Sequence, residues 1–183
     1  MKLRPQFEQG LRALGRVSAE MEAAGQRPPV LVGGGAVEIY TGGAISTGDF
    51  DLSCGRQDVL EAIMQRHGFV RPSGPGMATR GWVHPELGMG FEVVADVLLD
   101  GLADRTMAQV FELGADGTVT VIAPEDIIAD RMGQYASGSA PQMLEQARAL
   151  YALCEGLDLA YMERRISEET GGDLGVGDLT DEA

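Results

Sequence analysis

Apolar residues recur at threes and fours through residues 5 to 24, at Phe7, Leu11, Leu14, Val17, Met21 and Ala24. That spacing predicts an amphipathic helix with one buried stripe, closed by Gly25 and blocked by Pro28-Pro29. A short apolar run, Val30 to Val32, predicts a buried strand that stops at Gly33-Gly34-Gly35. Helical character follows at Ala36, Val37, Ile39 and Tyr40, and Gly42-Gly43 break it. Asp49-Phe50-Asp51 then alternates polar, apolar, polar, the period of a strand with one buried face. Asp58 to Gly68 predicts a helix with Val59, Leu60, Ile63 and Met64 inward, and Phe69-Val70 starts an extended piece. Residues 71 to 76 are a loop by composition, at the surface or at the border of a cleft.

Farther along, residues 78 to 99 predict two strands joined around Pro85 to Gly88. In the second, alternation from Phe91 onward places Glu92, Val94 and Asp96 on one face. Met107, Val110 and Phe111 have helical spacing, which predicts a helix over 104 to 113 before an Asp116-Gly117 turn. Thr118 to Ile122 is a strand by pattern, and Pro124 with Glu125 and Asp126 opens a helix. Two further helices are predicted over 141 to 155 and 158 to 169, and the Gly- and Asp-rich stretch 171 to 183 reads as a disordered tail.

Chemistry concentrates between Val30 and Cys54. Two aspartates on one strand face stand about 7 Å apart along the strand. They repel each other unless a cation lies between them, and Mg²⁺ is commonly held by one or two carboxylates plus substrate phosphates. The glycines upstream let backbone amides approach a ligand and open a helix whose first N–H groups are unpaired, an arrangement that attracts phosphate. Two plainer alternatives exist. Gly33-Gly34-Gly35 is part of a dinucleotide fingerprint, but Glu38 stands where the third glycine belongs. The aspartates are otherwise solvent-facing strand residues.

A glycine turn, a short helix and then Asp-x-Asp at this spacing resembles the nucleotidyltransferase superfamily, the DNA polymerase beta-like group. Val-Gly-Gly-Gly-Ala-Val-Glu-Ile-Tyr-Thr-Gly-Gly followed by Thr-Gly-Asp-Phe-Asp-Leu looks like its small bacterial and archaeal members, of the abortive-infection and toxin-like kind. Pro124-Glu125-Asp126-Ile127-Ile128 with Arg131 a turn later is a second point of similarity. The resemblance implies an α+β nucleotidyltransferase fold, a mixed sheet flanked by helices with a C-terminal helical bundle. Residues 1–122 would form the core with its N-terminal helix, 123–170 the helical subdomain and 171–183 the tail.

By the same resemblance, Asp49, Asp51 and Glu92 (or Asp96 in its place) are the expected catalytic and metal-binding acids. Gly33, Gly34, Gly35, Thr47 and Arg131 are the expected nucleotide-binding residues, with Arg131 alternatively paired to Glu125 or Asp126. The implied reaction moves a nucleoside monophosphate from an NTP to a tRNA, protein or small-molecule acceptor, with one or two Mg²⁺ ions and release of pyrophosphate. A fold that has lost catalysis and serves as a binding or regulatory module is the alternative. Toxin-like members work opposite an antitoxin, which adds a cognate antitoxin or partner protein to the expected partners.

Composition changes this picture little. The formal charge of −14, from 14 basic and 28 acidic residues, argues against broad nonspecific grip on nucleic acid. Cys54 and Cys154 have no metal-ligand spacing and are expected as buried thiols, and His67 and His84 as structural or surface residues. No segment approaches the roughly 18 apolar residues of a membrane span. The start, Met-Lys-Leu-Arg-Pro-Gln-Phe-Glu, lacks a signal-peptide apolar core, so a cytoplasmic location without membrane contact is the simplest expectation.

Overall fold

The computed structural model describes residues 3–72 and 81–180. Its strands are β1 (Val30–Val32), β2 (Asp49–Ser53), β3 (Trp82–His84), β4 (Met89–Ala95), β5 (Gln109–Glu112) and β6 (Thr118–Val121). Its helices are α1 (Pro5–Ala23), α2 (Gly33–Tyr40), α3 (Gln57–Arg66), α4 (Pro124–Ala136), α5 (Met143–Leu153) and α6 (Leu159–Thr170). The strands form one six-stranded sheet in the order β3-β4-β2-β1-β6-β5. Within it β2 runs parallel to β4 and β1 parallel to β6, while the other neighbours are antiparallel. This is an α+β chain with a mixed sheet. None of the described helices is long and apolar enough to cross a membrane.

The stripe read along α1 is the buried one: Phe7, Leu11, Leu14, Val17 and Met21 face inward. Phe7 stacks on Phe50 of β2 with ring centroids 4.9 Å apart, and Phe50 stacks on Phe91 of β4 at 4.6 Å. Phe69 meets Phe91 edge-on at 4.8 Å. A side chain at Gly10 would come within 2.6 Å of the Phe50 ring, so the bare glycine lets α1 lie close to the sheet. Because Phe50 turns its ring to α1, strand alternation sends Asp49 and Asp51 to the other face.

The helices after β6 are joined by a buried polar cluster. Arg165 is fully buried and donates from Nε to Asp126 Oδ1 (2.8 Å), and from its two Nη atoms to Glu168 and Glu169 (2.6 Å each). Tyr161 Oη donates to the Asp126 carboxylate at 2.9 Å, and Glu125 accepts from the Asp158 amide at 2.8 Å. Asp126 and Glu125 therefore serve to fix α6 against α4. Helix α4 in turn packs on α2.

Two sequence expectations are corrected. Residues 104–113 are not a helix: a single 3-10 turn, Arg105–Met107, leads into β5, which pairs with β6 through the Asp116-Gly117 turn. Val110 and Phe111 fit a helical spacing and a strand equally over so short a run, and the open edge of β6 decides for the strand. The expected disordered tail is folded as far as residue 180. A 3-10 turn, Val176–Leu179, buries Leu179, and the Val176 amide donates to Glu163 at 2.7 Å. Those two apolar side chains supply the anchor that the Gly- and Asp-rich composition hid. Most of the 71–76 loop and the start of the 78–99 hairpin lie outside the described residues.

Replacing Arg165 by Met leaves the Asp126 charge buried without its cation. The expected cost is about 3–5 kcal/mol, read as a lower urea midpoint. The double replacement Asp126→Leu/Arg165→Met should recover most of that loss.

Candidate active site

Strand β1 ends where Gly33 turns the chain into α2, at a φ of +58° that side-chain-bearing residues rarely adopt. A Cβ at Gly33 would overlap Asp51 Oδ2, and one at Gly34 would lie 2.5 Å from Thr47 Oγ1. The first two glycines are thus required by the close approach of Asp51 and Thr47 to the helix start. Gly35 does something else. It is buried, and its missing side chain makes room for Leu31.

Register brings the acids together. Asp51 lies opposite Glu92 in the parallel β2–β4 pair, and Asp49 opposite Gly90. On β1, Val32 is the antiparallel partner of Asp51. Burial first, then the charges of Asp49 and Glu92, push the Asp51 carboxyl above its ordinary range. Arg131 and the Gly34 amide pull the other way without cancelling the rise. Asp51, Gly33, Gly34, Val32, Leu99 and Arg131 line one cleft of about 390 Å³. Asp49 and Glu92 stand beside Asp51 rather than among the residues lining that cleft.

Asp96 does not share this face. Leu52 pairs with Val93 but Ser53 pairs with Ala95, so the register slips by one residue at Val94. Beyond a bulge the two faces of a strand exchange, and the parity that grouped Asp96 with Glu92 fails. Asp96 lies past the end of β4 and lines a different cavity, beside Ser53 and Cys54.

Arg131 is buried and donates to Asp130 (2.7 Å) and Gln146 (3.1 Å), not to Glu125 or Asp126. Thr47 Oγ1 donates to Asp49 Oδ1 at 3.2 Å. His67 Nε2 meets Glu20 at 2.8 Å, and His84 lies edge-on to Phe69 with a ring-centroid distance of 5.0 Å. Cys54 is buried as expected, whereas Cys154 is only half-buried.

Sequence reasoning missed the group that holds the site in place. Glu38 is fully buried in α2 and accepts from Arg4 Nε at 2.9 Å, Arg4 Nη2 at 2.8 Å and the Thr47 amide at 2.8 Å. Arg4 Nη2 also donates to the Thr47 carbonyl at 2.5 Å. A bidentate, charge-assisted pair therefore grips both backbone groups of Thr47, two residues before Asp49. The signal was available: a carboxylate between Val37 and Ile39, in a helix otherwise apolar on every side, needs a buried partner. Leu99 and Asp100 carried no such signal. Both have left-handed backbone angles (φ 42° and 55°), and this strained turn brings Leu99 to the cleft.

Hard carboxylate oxygens suit Mg²⁺. Among the described residues, however, no three His, Cys, Asp or Glu side chains are gathered into a ready-made metal cage. The two observations are compatible, because Mg²⁺ keeps several waters and relies on one or two carboxylates plus phosphates rather than on an all-protein cage. No family model matches the chain, and no curated protein is significantly similar to it.

A carboxyl whose pKa is raised by folding destabilises the fold once it ionises. Asp51→Asn should therefore raise stability in metal-free buffer at neutral pH, by about 0.2–1 kcal/mol for relief of a directly opposed like-charge pair. That corresponds to a Tm higher by roughly 1–3 °C. The advantage should vanish as pH falls below the ordinary aspartate value of about 3.9 and grow as pH rises through the raised value. Calorimetry of both proteins across pH 3–8 checks it.

Proposed function

We propose that this chain adopts a nucleotidyltransferase fold and is a metal-dependent nucleotidyltransferase. It would move a nucleoside monophosphate from an NTP to an acceptor and release pyrophosphate. The observation that carries this reading is the meeting of Asp51, in register with Glu92 and on the face of Asp49, with the Gly33-Gly34 bend and Arg131 in one cleft. A polyphosphate with its cation is the ligand that both halves of such a cleft call for.

Asp49, Asp51 and Glu92 are the residues that would hold Mg²⁺, which when bound lowers the pKa of an attacking group and neutralises charge on the leaving pyrophosphate. The chain's own groups do the rest. The amides at the start of α2 orient phosphate oxygens, and the buried Arg131 adds a fixed positive charge on the same side. Glu38 and Arg4 hold Thr47, and through it Asp49, at a set distance from the bend. Val32, Val94 and Leu99 give the cleft apolar walls that limit water. The formal charge of −14 favours a protein or small-molecule acceptor over a large RNA. A cognate antitoxin or other partner protein belongs to this proposal by the resemblance alone.

The second reading is a binding or regulatory module on the same fold, which would use the same cleft without transfer. One set of measurements separates the two. Incubation with labelled NTPs, Mg²⁺ and either total tRNA or cell extract should yield a labelled product, and Asp49→Ala or Asp51→Ala should lower its rate by about 10²–10³-fold, as loss of transition-state charge stabilisation does. Titration calorimetry with NTP should show binding that needs Mg²⁺ and is lost in both variants. Mg²⁺-dependent binding that survives both changes rules the aspartates out as ligands. Intact wild-type binding without any labelled product supports the module.

A further inference from the structure

A cavity of about 580 Å³, larger than the cleft around Asp51, lies elsewhere in the molecule. It opens at the opposite end of β1 and β2, beside Pro28, Ser53 and Cys54, where Arg27, Arg56 and Arg105 gather. In a chain with 28 acidic and 14 basic residues, an arginine normally finds a carboxylate. Most of the described arginines do, and Arg148, which does not, bonds the Asp178 carbonyl through two nitrogens. Arg56 is typical, fixed by two hydrogen bonds of 2.9 Å to Asp58. Arg27 and Arg105 are exceptions: neither has a carboxylate within 4.0 Å among the described residues.

Arg105 is half-buried and directs Nη2 to the Pro28 carbonyl at 2.7 Å. A guanidinium carries five N–H donors, and the others on Arg105 have no acceptor among the described residues. Its pKa is held below the ordinary range by burial and then by the charge of Arg27. Two cations that act on one another thus line the same cavity, neither of them paired to a carboxylate among the described residues. Asp96 also lines the cavity but pairs with neither arginine. Two guanidiniums lining one cavity suit an anion, which would offset their mutual repulsion and take up the free donors of Arg105.

We propose that this cavity is a second binding site, for a small phosphomonoester whose phosphate group is held between Arg27 and Arg105. The volume lies in the range that takes a whole small ligand rather than a bare ion. The site is separate from the cleft at Asp51 and does not rest on the function proposed for that cleft.

The test measures binding of inorganic phosphate, AMP and glucose 6-phosphate to the full chain at fixed ionic strength, by titration calorimetry and by Tm shift, with chloride as the control anion. Wild type should bind at least one phosphomonoester more tightly than phosphate, which indicates whether the body of the ligand is nucleotide-like or sugar-like. Arg27→Gln and Arg105→Gln should each weaken that binding by about tenfold or more, the scale of a lost charge-assisted hydrogen bond, while Asp51→Asn leaves it unchanged. Should Arg105→Gln fail to fold, the exposed Arg27 decides the matter alone. Unchanged affinity in Arg27→Gln, loss of affinity in Asp51→Asn, or no binding of any of the three probes by wild type overturns the proposal.

Discussion

The stack of Phe7, Phe50 and Phe91 is the interaction on which everything at the cleft depends. Phe50 sits between the two aspartates in sequence, and its ring, fully buried between α1 and β4, fixes which side of the sheet they occupy. Phe91 stacks on it because the two residues are register partners, and the same register sets Glu92 opposite Asp51. A slip of one residue would turn the aromatic rings outward and separate the acids at once. Hydrophobic burial thus does the electrostatically costly work of holding like charges side by side. The contacts that stabilise the fold lie on one face of β2, and the contacts that oppose it lie on the other.

The molecule carries two such imbalances, of opposite sign, at the two ends of its central strands. At one end Asp51 stands beside the charges of Asp49 and Glu92, and the guanidinium of Arg131, which acts on it, also bonds Asp130 and Gln146. At the other, Arg27 and Arg105 have no carboxylate partner among the described residues of a strongly acidic protein. At Asp126 and Arg165, by contrast, opposite charges are fully buried against one another and satisfied within the fold. The contrast separates charges that build the structure from charges left available to a ligand. Local destabilisation of this kind is a recurrent mark of functional sites.

Positioning of the acids does not come from β2 alone. Asp49 stands at the first, exposed residue of the strand, where fraying would blur its place. The Glu38–Arg4 pair removes that freedom by gripping Thr47 from a helix and from the chain's N-terminal segment. A buried carboxylate is costly unless its oxygens are satisfied. Here both are satisfied, one of them by the backbone amide that needs to be held.

What the sequence determined by itself was local. Periodicity placed α1, α3, the helices after β6 and the strand bearing Asp49 and Asp51, because a 3.6 or 2.0 repeat is written in consecutive residues. It also showed that Asp49 and Asp51 share a face and that glycines precede them. The helix expected over 104–113 failed because short apolar pairs fit either period, and only an unpaired neighbouring strand could choose. The folded stretch after Gly171 was hidden because its two anchors, Val176 and Leu179, matter only once the chain folds back on α5 and α6. Glu92 and Asp96 were equivalent by counting, and the bulge at Val94 that distinguishes them belongs to the pairing of β4 with β2. Pairing register, burial of Glu38 and the approach of Arg27 to Arg105 are relations between segments, and no one-dimensional pattern carries them until hydrophobic packing fixes the distance between those segments.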